Sequence, residues 1–96
     1  MYERIDKRRI YQLIDMYLLD DIDESMFCDE FYYSYDLELD FDTLTEEEHK
    51  IFYELSKITS RFSNFEEDIK QYPGVYSTRE EVREKIKETK EKLEKL

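Results

Sequence analysis

Two side chains in this sequence could do nucleophilic chemistry, the thiol of Cys28 and the imidazole of His49, and each residue type occurs once. A cysteine nucleophile needs a base, a group that orients the base, and donors for the developing oxyanion. Nothing in the spacing brings Cys28 and His49 together. The residues read instead as a packed, small apolar cysteine and a first-turn surface histidine. With Gly74 as the single glycine there is no phosphate-cradling loop. Carboxylate pairs are abundant, but 96 residues leave little room for the cleft that sugar hydrolysis requires. Acids do fall at positions 1, 3, 5, 7 and 12 of a calcium loop (Asp36, Glu38, Asp40, Asp42, Glu47). The sixth position, where that loop needs glycine, is Phe41. The expectation is a chain without catalysis, metal or cofactor.

The carboxylates matter more as a field. Net charge is −11, and its distribution is uneven: residues 10–49 hold fourteen Asp or Glu and no Lys or Arg. The flanking segments are close to balanced. Mutual repulsion among so many acids costs folding stability, so a compensating use is expected. Such a field repels nucleic acid and anionic membranes and draws basic protein surfaces. Regularly spaced carboxylates can also imitate the phosphates of a nucleic-acid backbone. Nine tyrosines and six phenylalanines accompany them, most densely at Phe31-Tyr32-Tyr33-Ser34-Tyr35. One helix face cannot bury that whole run. Tyr32 or Tyr33 must therefore be exposed, and an exposed tyrosine beside carboxylates suits protein binding.

The elements that position these groups read as helices. One glycine and one proline, adjacent at Pro73-Gly74, are too few for a turn-rich sheet fold. A first helix is expected from about Glu3 to Leu19, with Ile10, Leu13, Ile14, Tyr17 and Leu18 as its apolar stripe. Asp20, Asp21 and Asp23 break it and offer caps to a second helix, roughly Glu24 to Tyr35. That helix carries Phe27, Phe31 and Tyr35 on one face. Residues 36–42 alternate acid and apolar, which predicts an extended connection with Leu37, Leu39 and Phe41 inward and its acids outward. Thr45 and Glu48 form a capping box for a third helix to about Arg61, with Phe52, Leu55, Ile58, Thr59 and Phe62 inward. Ser63 with Glu66 should cap a short turn through Lys70, ended by Pro73-Gly74. Ser77 with Glu80, or Thr78 with Glu81, should cap a last helix to Leu96. Its inner face is Val82, Ile86, Thr89, Leu93 and Leu96, and its outer face pairs Glu with Lys. The expected fold is a single all-α domain, 1–96, a small antiparallel four-helix bundle with an extended acidic connection between helices 2 and 3.

Several segments together resemble the immunity proteins of the colicin D type and their relatives in contact-dependent growth-inhibition systems. They are Leu13-Ile14-Asp15-Met16-Tyr17-Leu18, the short helix around Phe27, Arg61-Phe62 leading into Phe65-Glu66-Glu67-Asp68, and the closing Val82 to Leu93 helix. The resemblance is diffuse, spans most of the chain and slips around Ser63 and Asn64. It implies a small acidic four-helix protein that plugs the basic active site of a tRNA-cleaving toxin. In that family the inhibitory acids lie near the end of the third helix, which by position implicates Glu66, Glu67 and Asp68.

Charge pattern and resemblance together give the expectation of a bacterial toxin inhibitor. Its partner-binding residues would be Asp36, Glu38, Asp40, Asp42, Glu66, Glu67 and Asp68, with Tyr32, Tyr33 and Tyr72 as aromatic anchors. The partner would be a basic nuclease domain, with no nucleic acid and no membrane bound, and the protein a monomer. A lone cysteine and an interrupted apolar stretch at Ile10 to Leu19 point to the cytoplasm. The alternatives are an acidic nucleic-acid-mimic regulator, such as a phage-encoded inhibitor, and a non-catalytic helical adaptor.

Overall fold

The computed structural model describes the chain except Asn64, Pro73 and the side chains of Glu66 and Ile69. Among the described residues it is all helical. The α-helices are α1 (Arg8–Leu18), α2 (Glu24–Phe31), α3 (Glu46–Thr59), α4 (Glu66–Gln71) and α5 (Arg79–Glu94). A π-helical segment, Tyr32–Glu38, continues α2, and a 3-10 turn occupies Phe41–Thr43. Helix α3 packs chiefly on α5, and α1 on α2, while α5 also touches both α1 and α2.

The helix ends follow from local chemistry. Helix α1 begins at Arg8 rather than near Glu3, because the Asp6 carboxylate accepts the Arg8 N–H at 2.9 Å and sets the start there. Residues before it run as turns. At its other end Asp20 takes a left-handed φ of 63°. Asp20 N–H then donates to Tyr17 O and Asp21 N–H to Met16 O, which closes the last turn. Aspartate tolerates this conformation better than most residues. Asp23 caps α2 by accepting the Met26 N–H. The capping boxes Thr45–Glu48 and Thr78–Glu81 both form. The expected Ser63–Glu66 box is replaced: Phe65 is the N-cap of α4, and Ser63 Oγ accepts the Phe65 N–H while donating to Asp68. Past α4 the chain reverses at Gly74, whose φ of 85° only glycine adopts freely, while the Pro73 half of the expected turn lies outside the described residues. Ser77 then ties the returning strand of chain to α3, donating from its hydroxyl to Ile58 O and from its N–H to Arg61 O, both at 2.7 Å.

Most of the predicted inward residues form the core, with Leu18, Ile58, Phe62 and Leu93 half-buried against it. Ile10, Leu13, Ile14, Tyr17, Phe27, Phe31, Tyr35, Phe52, Leu55, Val82 and Ile86 are all buried. Phe27, Phe31 and Tyr35 form a column of parallel rings, with centroids 5.8 and 5.2 Å apart. Each buried side chain of this size contributes about 1.5–3 kcal/mol of transfer free energy. Leu96 departs from the prediction, standing exposed beyond the last turn of α5.

The acidic connection is the main correction. Residues 36–38 are helical, not extended, and only Leu39 and Asp40 have extended backbone before the 3-10 turn. Leu39 is buried as expected, whereas Leu37 and Phe41 are exposed. Alternation suits a strand only if a neighbouring strand takes up the backbone groups, and none is present among the described residues. Helix α2 instead continues by widening, so that Leu39 N–H reaches back five residues to Ser34 O at 2.6 Å. Among the described residues the buried Ser34 hydroxyl has no hydrogen-bond partner.

Candidate interaction surface

Asp36, Glu38, Asp40 and Asp42 are all exposed, carried by the π segment and the turn that follows it. Their settings differ. Burial raises the Asp36 carboxyl above its ordinary range, since it lines a small cavity with Cys28, Ser56 and Ser60. The Asp40 carboxylate accepts the Asp42 N–H and so holds the turn. Glu38 faces the Arg4 guanidinium at 3.7 Å. Among the described residues Asp36, Asp40 and Asp42 enter no ion pair. The acids of α5 are different: Glu88 meets Lys85 at 2.9 Å and Lys92 at 3.4 Å, and Glu84 meets Lys87 at 3.9 Å. Negative charge is thus offset by neighbouring lysines at Glu84 and Glu88 of α5 and left open at Asp36, Asp40 and Asp42.

Exposed rings and an aliphatic side chain accompany those open carboxylates. Tyr32 is 47% exposed and Tyr33 37%, with centroids 5.9 Å apart. Leu37, Phe41 and Tyr53 are exposed as well. Phe41 lies edge-on to Tyr35 and stacks on His49 at 5.4 Å, which fixes the turn over the start of α3. The second predicted cluster is built otherwise. Glu67 is exposed, and Asp68 is half-buried and receives the Ser63 hydroxyl at 2.9 Å, while the Glu66 side chain lies outside the described residues. Tyr72 is exposed and packs against Tyr76.

Cys28 and His49 have different settings. The thiol is buried, and burial, helped by Asp29, Glu24 and Asp23, pushes it up to about 12. His49 is exposed against Phe41. Among the described residues no group of three or more His, Cys, Asp or Glu is placed to hold a metal ion. No helix among them is long and apolar enough to cross a membrane.

Compared with known proteins, the chain matches no family model, no curated sequence and no solved structure.

Sequence reasoning missed three sets of side chains. Glu48 is buried and does more than close its capping box: its carboxylate also takes the Lys7 ammonium at 3.0 Å and the Tyr11 hydroxyl. Burial alone would raise its carboxyl, but the Thr45 N–H, Tyr11 and Lys7 outweigh burial and hold it below the ordinary range. Glu24, also buried, pairs with Arg79 at 3.0 Å and lies 3.9 Å from Arg83, whose Nε donates to the Tyr17 hydroxyl. Arg4 pairs with Glu30 as well as Glu38 and lies over the Tyr33 ring. An acid three residues after a threonine announces the cap of Glu48. The other contacts join residues far apart in sequence, which no local pattern records.

Proposed function

We propose that this chain is an immunity protein, a helical inhibitor that neutralises a basic, tRNA-cleaving toxin domain through its acidic surface. The observation that carries the reading is the open charge over residues 36–42. Among the described residues Asp36, Asp40 and Asp42 are exposed without ion pairs beside exposed Tyr32, Tyr33 and Phe41, whereas Glu84, Glu88 and Glu94 of α5 are paired with lysines. Carboxylates presented this way would occupy the sites where a ribonuclease holds substrate phosphates. Desolvation at the contact would strengthen each pairing with toxin lysine or arginine. The rings would supply the apolar centre that makes such a contact tight rather than merely fast.

In this reading the principal helices form an antiparallel four-helix bundle in the cytoplasm. Residues 36–42 form the main contact, and Glu66, Glu67, Asp68 and Tyr72 extend it. Support comes from the charge pattern and from the resemblance of the α1, α2 and α5 segments to colicin D-type immunity proteins. The test is protection. Cells expressing a cationic tRNA-cleaving toxin domain encoded beside this chain should grow when it is co-expressed, and the purified chain should block tRNA cleavage at stoichiometric amounts. Growth arrest and undiminished cleavage with the folded chain in excess would reject the proposal.

A further inference from the structure

Arg4 lies before α1, and its guanidinium sits where a partner's could. It is 4.7 Å from the Tyr33 ring centroid, 3.3 Å from Glu30 and 3.7 Å from Glu38. An aromatic face with carboxylates at its edge is a fitting cradle for a planar cation, which stacks on the ring and donates to both acids. The widened turn after α2 builds this cradle. Glu30 and Glu38 are eight residues apart, more than the two turns of an α-helix, about seven residues, would align. A π segment takes more residues per turn, so Glu38 comes back over Glu30 with Tyr33 between them. Beside it opens a cleft of about 550 Å³ lined by Tyr2, Ile5, Arg9, Glu30 and Glu38, among others.

The occupant is loosely held. The Arg4 side chain is 44% exposed, so its pairs are screened by water, and its segment is not helical. Glu30 does not depend on Arg4, because the buried Arg9 lies 3.5 Å from its other oxygen. Arg4 can therefore leave without stranding a buried charge. We propose that Tyr33, Glu30 and Glu38 form an arginine-recognition site on the protein surface, that Arg4 is its internal occupant, and that an arginine side chain of a protein partner displaces it. The proposal deepens the acidic-surface reading by naming the side chain recognised, and it rests on that reading for the identity of the partner.

An internal competitor weakens an external ligand by the fraction of time the site is closed. Arg4→Ala should therefore bind an arginine side chain about five-fold more tightly than the unaltered protein. The probe is N-acetyl-arginine amide, whose only charge is the guanidinium, followed by amide and tyrosine-ring shifts in NMR, with N-acetyl-lysine amide as comparison. The expected result is saturable shifts at Glu30, Tyr33 and Glu38, tighter in Arg4→Ala, weaker for the lysine probe, and abolished in Arg4→Ala/Tyr33→Ala. Equal binding with and without Arg4, shifts elsewhere, no saturable binding, or no preference for arginine over lysine would overturn the proposal. Unchanged circular dichroism in each variant secures the comparison. Because the probe is not the toxin domain, failure here leaves toxin binding to be judged separately. Failure of toxin binding would leave arginine recognition standing.

Discussion

Glu48→Ala removes a carboxylate that three elements share, and its cost can be worked from its partners. The side chain is 6% exposed and joins the segment before α1 through Lys7, α1 through Tyr11 and the cap of α3 through Thr45. Losing the charge-assisted bond to the part-buried Tyr11 hydroxyl costs about 1.5–3 kcal/mol, because that hydroxyl loses its charged acceptor. Half of the capping box goes with it, about 1 kcal/mol. Lys7 is 32% exposed and rehydrates, so its pair adds under about 1 kcal/mol. These parts overlap, and a total of about 3–4 kcal/mol is expected. Glu48→Gln keeps the shape and an acceptor and should cost roughly half. The sign of the pH effect follows from the lowered carboxyl. A group held below its ordinary value contributes stability above that value and loses it as pH falls through the lower folded value. The gap between the unaltered protein and Glu48→Gln should therefore be full at pH 7 and shrink from about pH 5 downward. Urea unfolding followed by circular dichroism at several pH values measures both. A cost below about 0.5 kcal/mol for Glu48→Ala, or a gap that widens in acid, would refute the reasoning.

Phe52, fully buried and edge-on to Tyr11, should cost about 3–5 kcal/mol as Phe52→Ala in the same unfolding assay. Cys28 should resist iodoacetamide at pH 8 in the native protein and react fully in urea, because burial keeps its thiol protonated; mass spectrometry reads the labelling. Thr78→Ala should lose about 1 kcal/mol and lower the melting temperature, since its hydroxyl oxygen accepts the Glu81 N–H at the start of α5.

Much of this fold was legible because its determinants are local. The threonine–glutamate spacings at Thr45 and Thr78, the aspartate before α2 and the apolar stripes of α1, α3 and α5 each act within a few residues. The π segment was not legible, because acid–apolar alternation over 36–42 fits a strand and a widened helix equally until a neighbouring strand is sought. Leu39 is the single residue of Leu37, Leu39 and Phe41 that both readings bury. The start of α1 was placed too early for a similar reason: Glu3 to Lys7 include good helix formers, and the turn held by the Asp6 contact to Arg8 sets the helix start later. Of the candidate surface, crowding on one helix required Tyr32 or Tyr33 to be exposed, and both are; the four acids are exposed as expected, but on a helical segment and a turn rather than on the expected extended connection. The Arg4–Glu30 pair joins residues 26 apart, so it had no signature in the sequence.

The central claim is that the exposed carboxylates over 36–42 carry the binding of a basic partner. The most direct measurement is calorimetry of a toxin ribonuclease domain against two charge-neutralised variants at low and high salt. One carries Asn or Gln at Asp36, Glu38, Asp40 and Asp42, the other Gln at Glu84, Glu88 and Glu91. The first should lose about a hundredfold in affinity and most of the salt dependence. The second should bind within about two-fold of the unaltered protein, because lysines already pair with Glu84 and Glu88, and Glu91 sits among Lys87, Lys90, Lys92 and Lys95 of the same segment. Equal, small losses in both variants, with salt dependence unchanged, would contradict the account and reduce the acids to a solvated coat.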